Sequence, residues 1–122
     1  MTDSSPRRRV LVAAATADEA DSLRVLLSVW GCDVLTATDA TTAVMAGEAF
    51  RPGVALLDLR LVGPDGSEVA HRLRSSVHLG GVTLVALAGG ADADRLRSRA
   101  VGFDHVLTLP VDPEALRRIA VG

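Results

Sequence analysis

Asp58 closes the apolar run Val54-Ala55-Leu56-Leu57, and Arg60 follows it by two residues. Open α/β sheets bind their ligands outside the carboxyl ends of their strands, so this run presents a carboxylate at a functional edge. The matching end of the first apolar run, Val10-Leu11-Val12-Ala13-Ala14-Ala15, offers no polar side chain. A divalent cation at such an edge needs several oxygen ligands, usually carboxylates and waters. One ligand is therefore in place and its protein partners are missing. Arg60 suggests another use for Asp58. If the chain stays extended, residues two apart leave on the same side, and a guanidinium there would fill the metal's place and keep the carboxylate ionised. The competing reading sends Arg60 into solvent.

The elements that must position these groups are legible as short apolar runs alternating with amphipathic stretches. Strands are expected over 10–14, 34–37, 54–58, 82–87 and 105–109. Thr16 offers an N-cap oxygen, and Asp18 and Glu19 favour the positive end of the helix behind it. Leu23, Leu26, Leu27 and Trp30 recur there at helical spacing, and Gly31 closes the helix. Asp39 caps a second helix carrying Ala43, Val44, Ala46 and Phe50, which Arg51-Pro52-Gly53 ends. Gly63-Pro64-Asp65-Gly66 is a dense turn signal. A third helix follows with Val69, Ala70 and Leu73 inward and Arg72 and Arg74 outward. A fourth spans about 92–101 around Leu96 and Ala100. Asp112-Pro113-Glu114 starts a fifth, which carries Leu116 and Ile119.

Five strands alternating with five helices predict an α/β domain with a doubly wound parallel sheet and helices on both faces. In the strand order 2-1-3-4-5 the ligand crevice lies between the first and third strands. Its lining would come from residues 13–16, 58–60 and 88–90 with Leu109 and Pro110. That is one carboxylate, one guanidinium and otherwise alkyl groups.

Composition narrows the function further. The 122 residues fit one domain, and 48% hydrophobic content supplies a core without staples. Net charge is −2 and only Phe50, Phe103 and Trp30 are aromatic, which argues against a nucleic-acid surface. All 13 basic residues are Arg, so no mechanism can use a lysine ammonium. Cys32 is alone and can form neither an intramolecular disulfide nor a cysteine-based zinc site. No glycine fingerprint or P-loop follows the first strand. His71 and His78 have no third ligand at metal spacing. Residues 1–8 read as a disordered basic tail that runs into Arg7-Arg8-Arg9, ahead of a domain over 9–121. No signal peptide or membrane span follows the tail, so a soluble, cytoplasmic protein is expected.

The chain resembles the receiver domain of bacterial two-component response regulators, the CheY-like family within the flavodoxin-like fold. The features that carry the likeness are Val10-Leu11-Val12, Leu56-Leu57-Asp58-Leu59, Gly63-Pro64-Asp65-Gly66 and Leu107-Thr108-Leu109-Pro110, with the spacing between them. The resemblance implies that Asp58 occupies the phosphoacceptor position. It also implies that the family's acidic pair falls on Ala14 and Ala15 and its hydroxyl residue on Ala88. The lysine falls on Leu109 and the aromatic switch on Val106. Phosphoryl transfer to a carboxylate brings anions together and needs positive charge to neutralise them, and these positions no longer supply it.

The expectation is thus an atypical pseudo-receiver, a phosphorylation-independent protein-interaction module with no enzymatic activity, no cofactor and weak or absent Mg2+ binding. Two alternatives stand beside it. One is a conventional receiver phosphorylated on Asp58 by a histidine kinase, and the other is a flavodoxin-like small-molecule binder. The 122 residues contain no helix-turn-helix, cyclase or kinase, so output would pass through a signalling partner, a histidine kinase or output protein, or through a second copy. By resemblance, Arg95, Arg99, His105 and Arg117 mark the interface.

Overall fold

Along the central strands nearly every residue is buried, and alternate side chains face different layers of helices. The computed structural model describes residues 8–62, 67–76, 81–97 and 102–122. In chain order the elements are β1 (Arg9–Ala13), α1 (Ala17–Val29), β2 (Asp33–Ala37), α2 (Ala40–Phe50), β3 (Val54–Asp58) and α3 (Leu59–Val62). They continue with α4 (Ser67–Ser75), β4 (Thr83–Ala88), α5 (Gly90–Arg97), β5 (His105–Thr108) and α6 (Pro113–Ala120). The five strands form one parallel sheet in the order β2-β1-β3-β4-β5. This is the predicted doubly wound topology.

On one face Val10, Val12, Val54, Leu56, Val85 and Leu87 pack against Leu23 and Leu27 of α1 and Leu116 and Ala120 of α6. On the other, Leu11, Ala55, Leu57 and Leu84 meet Ala43 of α2 and Val69, Ala70 and Leu73 of α4. A smaller cluster joins Ala86 and Ala88 to Leu59, Ala93 and Leu96. Cys32, buried just before β2, packs as a small apolar residue, and its burial pushes the thiol pKa up.

Helix starts follow the expected chemistry. Thr16 accepts from the Glu19 N–H at 3.1 Å, Asp39 from Thr42 at 2.7 Å and Asp112 from Glu114 at 3.1 Å, with Pro113 in the first turn. Gly31 takes a positive φ of 89° behind α1, the left-handed conformation that favours glycine. Arg51 closes α2 in the same region.

Three expectations need correction. The chain does not stay extended after Asp58: Leu59–Val62 turns into a short helix at once, so the described residues hold six helices rather than the five expected. Ala88 lies inside β4 rather than beyond it, because its pairing with Thr108 continues the ladder. The helix after β4 starts at Gly90, not Asp92, since the Ala93 N–H already reaches the Gly89 carbonyl. Gly63-Pro64-Asp65-Gly66, His78, Arg99 and Ala100 lie outside the described residues, as does nearly all of the 1–8 tail.

Candidate functional site

The carboxyl ends of β1, β3 and β4 converge on Asp58. The Leu109 N–H donates to the Ala88 carbonyl at 2.7 Å, which brings the end of β5 beside them. Ala14 and Ala88 are buried there, and Leu109 packs into the α1–α6 side of the core. Leu109 is joined to Pro110 by a cis peptide bond. Val106, in β5, packs onto the Ala86, Ala88 and Leu59 cluster. Around the carboxylate these positions contribute methyl and alkyl groups where an ion would need oxygens.

Asp58 itself has no solvent-accessible side-chain surface. Arg60 donates to it both through its backbone and through its side chain. The Arg60 backbone N–H donates to Oδ1 at 2.9 Å, because the helical turn of α3 folds that amide back toward the strand end. The Arg60 guanidinium then donates through Nε to Oδ1 at 3.1 Å and Oδ2 at 3.2 Å, and through Nη2 to Oδ2 at 2.6 Å. The pair anticipated from sequence is therefore formed, by a different route. A turn rather than an extended segment delivers the side chain.

Glu19 is the residue of this cluster that the sequence reading placed only at a helix start. The same Arg60 Nη2 donates to Glu19 Oε2 at 2.7 Å, so one guanidinium spans two carboxylates. The solitary carboxylate expected in the crevice is corrected to a pair. Glu19 stands in the first turn of α1, which begins over the end of β1. Its spacing from Thr16 was the available signal, since a capping residue there points the third helical position back toward the strand ends.

Electrostatics separates the two acids. Burial pushes the Asp58 carboxyl up, but hydrogen bonds from Arg60 and Glu19, the Arg60 backbone N–H and the guanidinium charge outweigh it. The net effect holds Asp58 below its ordinary 3.8. Burial and contact with the Asp58 carboxylate push Glu19 above its ordinary 4.5, against the pull of Arg60 and the Ala15 backbone. The hydrogen bond to Asp58 raises Arg60 further, so it remains a cation throughout. A Glu19 carboxyl that keeps its proton can donate to Asp58, which stays the acceptor. Among the described residues, no three His, Cys, Asp or Glu side chains gather as a metal site.

The other anticipated residues are separate from this cluster. His71 is exposed on α4, with Nε2 3.5 Å from Ser75 Oγ. Arg95 pairs with Asp92 on α5, His105 is exposed at the start of β5, and Arg117 is exposed on α6. Arg97, not singled out from sequence, ties α5 to β5 by donating to the Val106 carbonyl at 3.1 Å and Thr108 Oγ1 at 2.9 Å. Arg74, expected to point outward, ion-pairs with Asp104 while Asp104 also accepts the Leu84 N–H.

A doubly wound five-stranded sheet with an acid at the end of its central strand defines a flavodoxin-like α/β domain. Comparison with known proteins makes the class specific: the family model for the response regulator receiver domain matches residues 10–120, and the chain belongs to that family. It is 33% identical over 111 residues to the DNA-binding response regulator MtrA of Mycobacterium tuberculosis, covering 90% of this chain and 47% of MtrA. It is 32% identical over 111 residues to an uncharacterized 76.5 kDa protein of Thiocystis violacea, covering 90% of this chain and 16% of that protein. The chain thus spans less than half the length of these two relatives. In fold it matches the chemotaxis response regulator CheY4 of Vibrio cholerae, with a TM-score of 0.81 at 21% identity over 93% of this chain and 96% of that one. The receiver domain of a Pseudomonas aeruginosa sensor histidine kinase, with magnesium in its active-site cleft, superposes at a TM-score of 0.79 and 23% identity. That match covers 94% of this chain and 95% of the other.

Proposed function

We propose that this receiver is a pseudo-receiver, a phosphorylation-independent interaction module in two-component signalling. The observation that carries the reading is the buried Asp58 carboxylate with both oxygens engaged by Arg60. To accept a phosphoryl group, an aspartate must aim a free oxygen lone pair at phosphorus while cations neutralise the transferring oxygens. Here the lone pairs are committed to a guanidinium and the carboxylate faces no solvent.

The surrounding positions support the same reading. Mg2+ demands near-octahedral oxygen coordination. The donor set of Asp58 and Glu19, with a cation already between them and methyl groups at Ala14 and Ala15, does not fit that ion. Ala88 has no hydroxyl and Leu109 no ammonium to meet a phosphoryl oxygen. Loss of one preorganised donor costs about 3–4 kcal/mol of barrier. No step of the proposed activity runs through a metal, and the chain acts by binding rather than catalysis.

The partner is a signalling protein: a histidine kinase, an output protein or a second copy of the chain. The resemblance points to the face made by α5, β5 and α6 for docking; Arg95 stands on the first, His105 on the second and Arg117 on the third. No helix among the described residues is long and apolar enough to cross a membrane.

Incubation with acetyl phosphate and Mg2+, read by intact mass and by amide NMR, tests the proposal. The expected result is an unchanged mass, and equal partner recovery by wild type and Asp58→Ala in a pull-down. The conventional reading, phosphorylation of Asp58 by a histidine kinase, draws support from the likeness to MtrA. Phosphate on Asp58 would establish it and overturn the pseudo-receiver.

A further inference from the structure

Glu19 holds Arg60 from the side opposite Asp58. Arg60 Nη2 lies 2.6 Å from Asp58 Oδ2 and 2.7 Å from Glu19 Oε2, so the two acids grip one nitrogen. Their surroundings differ. The Arg60 side chain is 58% exposed, that of Glu19 20%, and that of Asp58 0%. An arginine this exposed has many rotamers open to it, and ordering it on one carboxylate costs side-chain entropy. Asp58 alone must hold it against that tendency. Glu19, anchored through the Thr16 cap of α1, closes the other side.

Resting on the pseudo-receiver reading, we infer that Glu19 is the positioning residue that keeps the Arg60 guanidinium on Asp58. The receiver thereby carries its own counter-ion, and α1 and β3 are joined through a carboxylate–guanidinium–carboxylate bridge. Among the described residues, Arg60 on α3 and Glu19 on α1 are the charged side chains acting on Asp58. Ala14, Ala88 and Leu109, from the ends of the neighbouring strands, bring no charge. Glu19 therefore acts on Asp58 along two paths, directly through its own hydrogen bond to the carboxylate and indirectly as the holder of Arg60, and both favour the ionised form.

Carboxyl carbon NMR titration of Asp58 in the full chain separates those paths. If Glu19 acts by positioning, Glu19→Ala raises the Asp58 midpoint, because the guanidinium leaves. The Arg60 Nε–H resonance then loses its protection from exchange. Glu19→Gln restores both, since its amide oxygen still accepts from Nη2. In an Arg60→Ala background, Glu19→Ala raises the midpoint much less, because only the direct hydrogen bond is then lost and the residue through which Glu19 mainly acts is gone. A fall in the Asp58 midpoint in Glu19→Ala, or an equal rise with and without Arg60, overturns the positioning role. Phosphate uptake by the wild type would instead sink the pseudo-receiver reading and leave this titration interpretable by itself.

Discussion

At the scale of the residue, Arg60 decides what Asp58 can do. Removing the guanidinium leaves a buried carboxylate without its main donor. Arg60→Ala is expected to cost about 1–3 kcal/mol at neutral pH in urea unfolding. The lower end is favoured because the arginine is more than half exposed and screened by solvent. The same variant moves the Asp58 midpoint upward, since burial then acts unopposed. The pH dependence of the wild type follows from the two acids. Asp58 lies below 3.8 when folded, so its contribution is complete above that value and is lost as pH falls through the folded midpoint. Glu19 lies above 4.5, so its contribution is complete below that value and is lost as pH rises through its folded midpoint. Asp58→Asn should therefore flatten the loss of stability below 3.8, and an unchanged acid limb would contradict the assignment.

At the scale of the element, caps and alternation do most of the positioning. Thr16 starts α1 directly over the end of β1, and that start places Glu19 in the crevice. Thr16→Ala should cost about 1 kcal/mol, measured by urea unfolding. It should also weaken the Glu19–Arg60 contact, seen as faster exchange of the Arg60 Nε–H. The caps at Thr16, Asp39 and Asp112 were legible because a hydroxyl or carboxylate bonding two or three residues ahead is a local event. The turn of α3 was not. Leu59-Arg60-Leu61-Val62 reads equally well as the continuation of an apolar strand, and only Leu59 packing against Ala86, Ala88, Ala93 and Leu96 bends it away. Arg97 escaped notice for a similar reason: its partners, the Val106 carbonyl and Thr108, lie on another element.

At the scale of the whole molecule, stability is concentrated in the centre of the sheet. Every residue of β3 is buried, as are four of the five in β1, while β5 at the edge is half-buried at best. Leu56→Ala, emptying a fully buried position between β3 and α1, should destabilise by about 2–5 kcal/mol in denaturant unfolding. Amide hydrogen exchange should be slowest in β1 and β3 and faster in β5, in line with local rather than global opening at the edge. Uniform protection across all five strands would argue against this gradient.

The apolar runs, their spacing and the acid at the end of the third run determined the doubly wound order and the place of Asp58. These follow from periodicity and chain connectivity, which are local properties carried by neighbouring residues. Tertiary structure alone decided what surrounds that acid. Arg60 comes back because α3 turns, and Glu19 comes across because α1 begins above the crevice, a contact between residues 41 positions apart. Charges so distant along the chain meet only after the sheet has assembled and water has left the space between them, and no local pattern records that meeting.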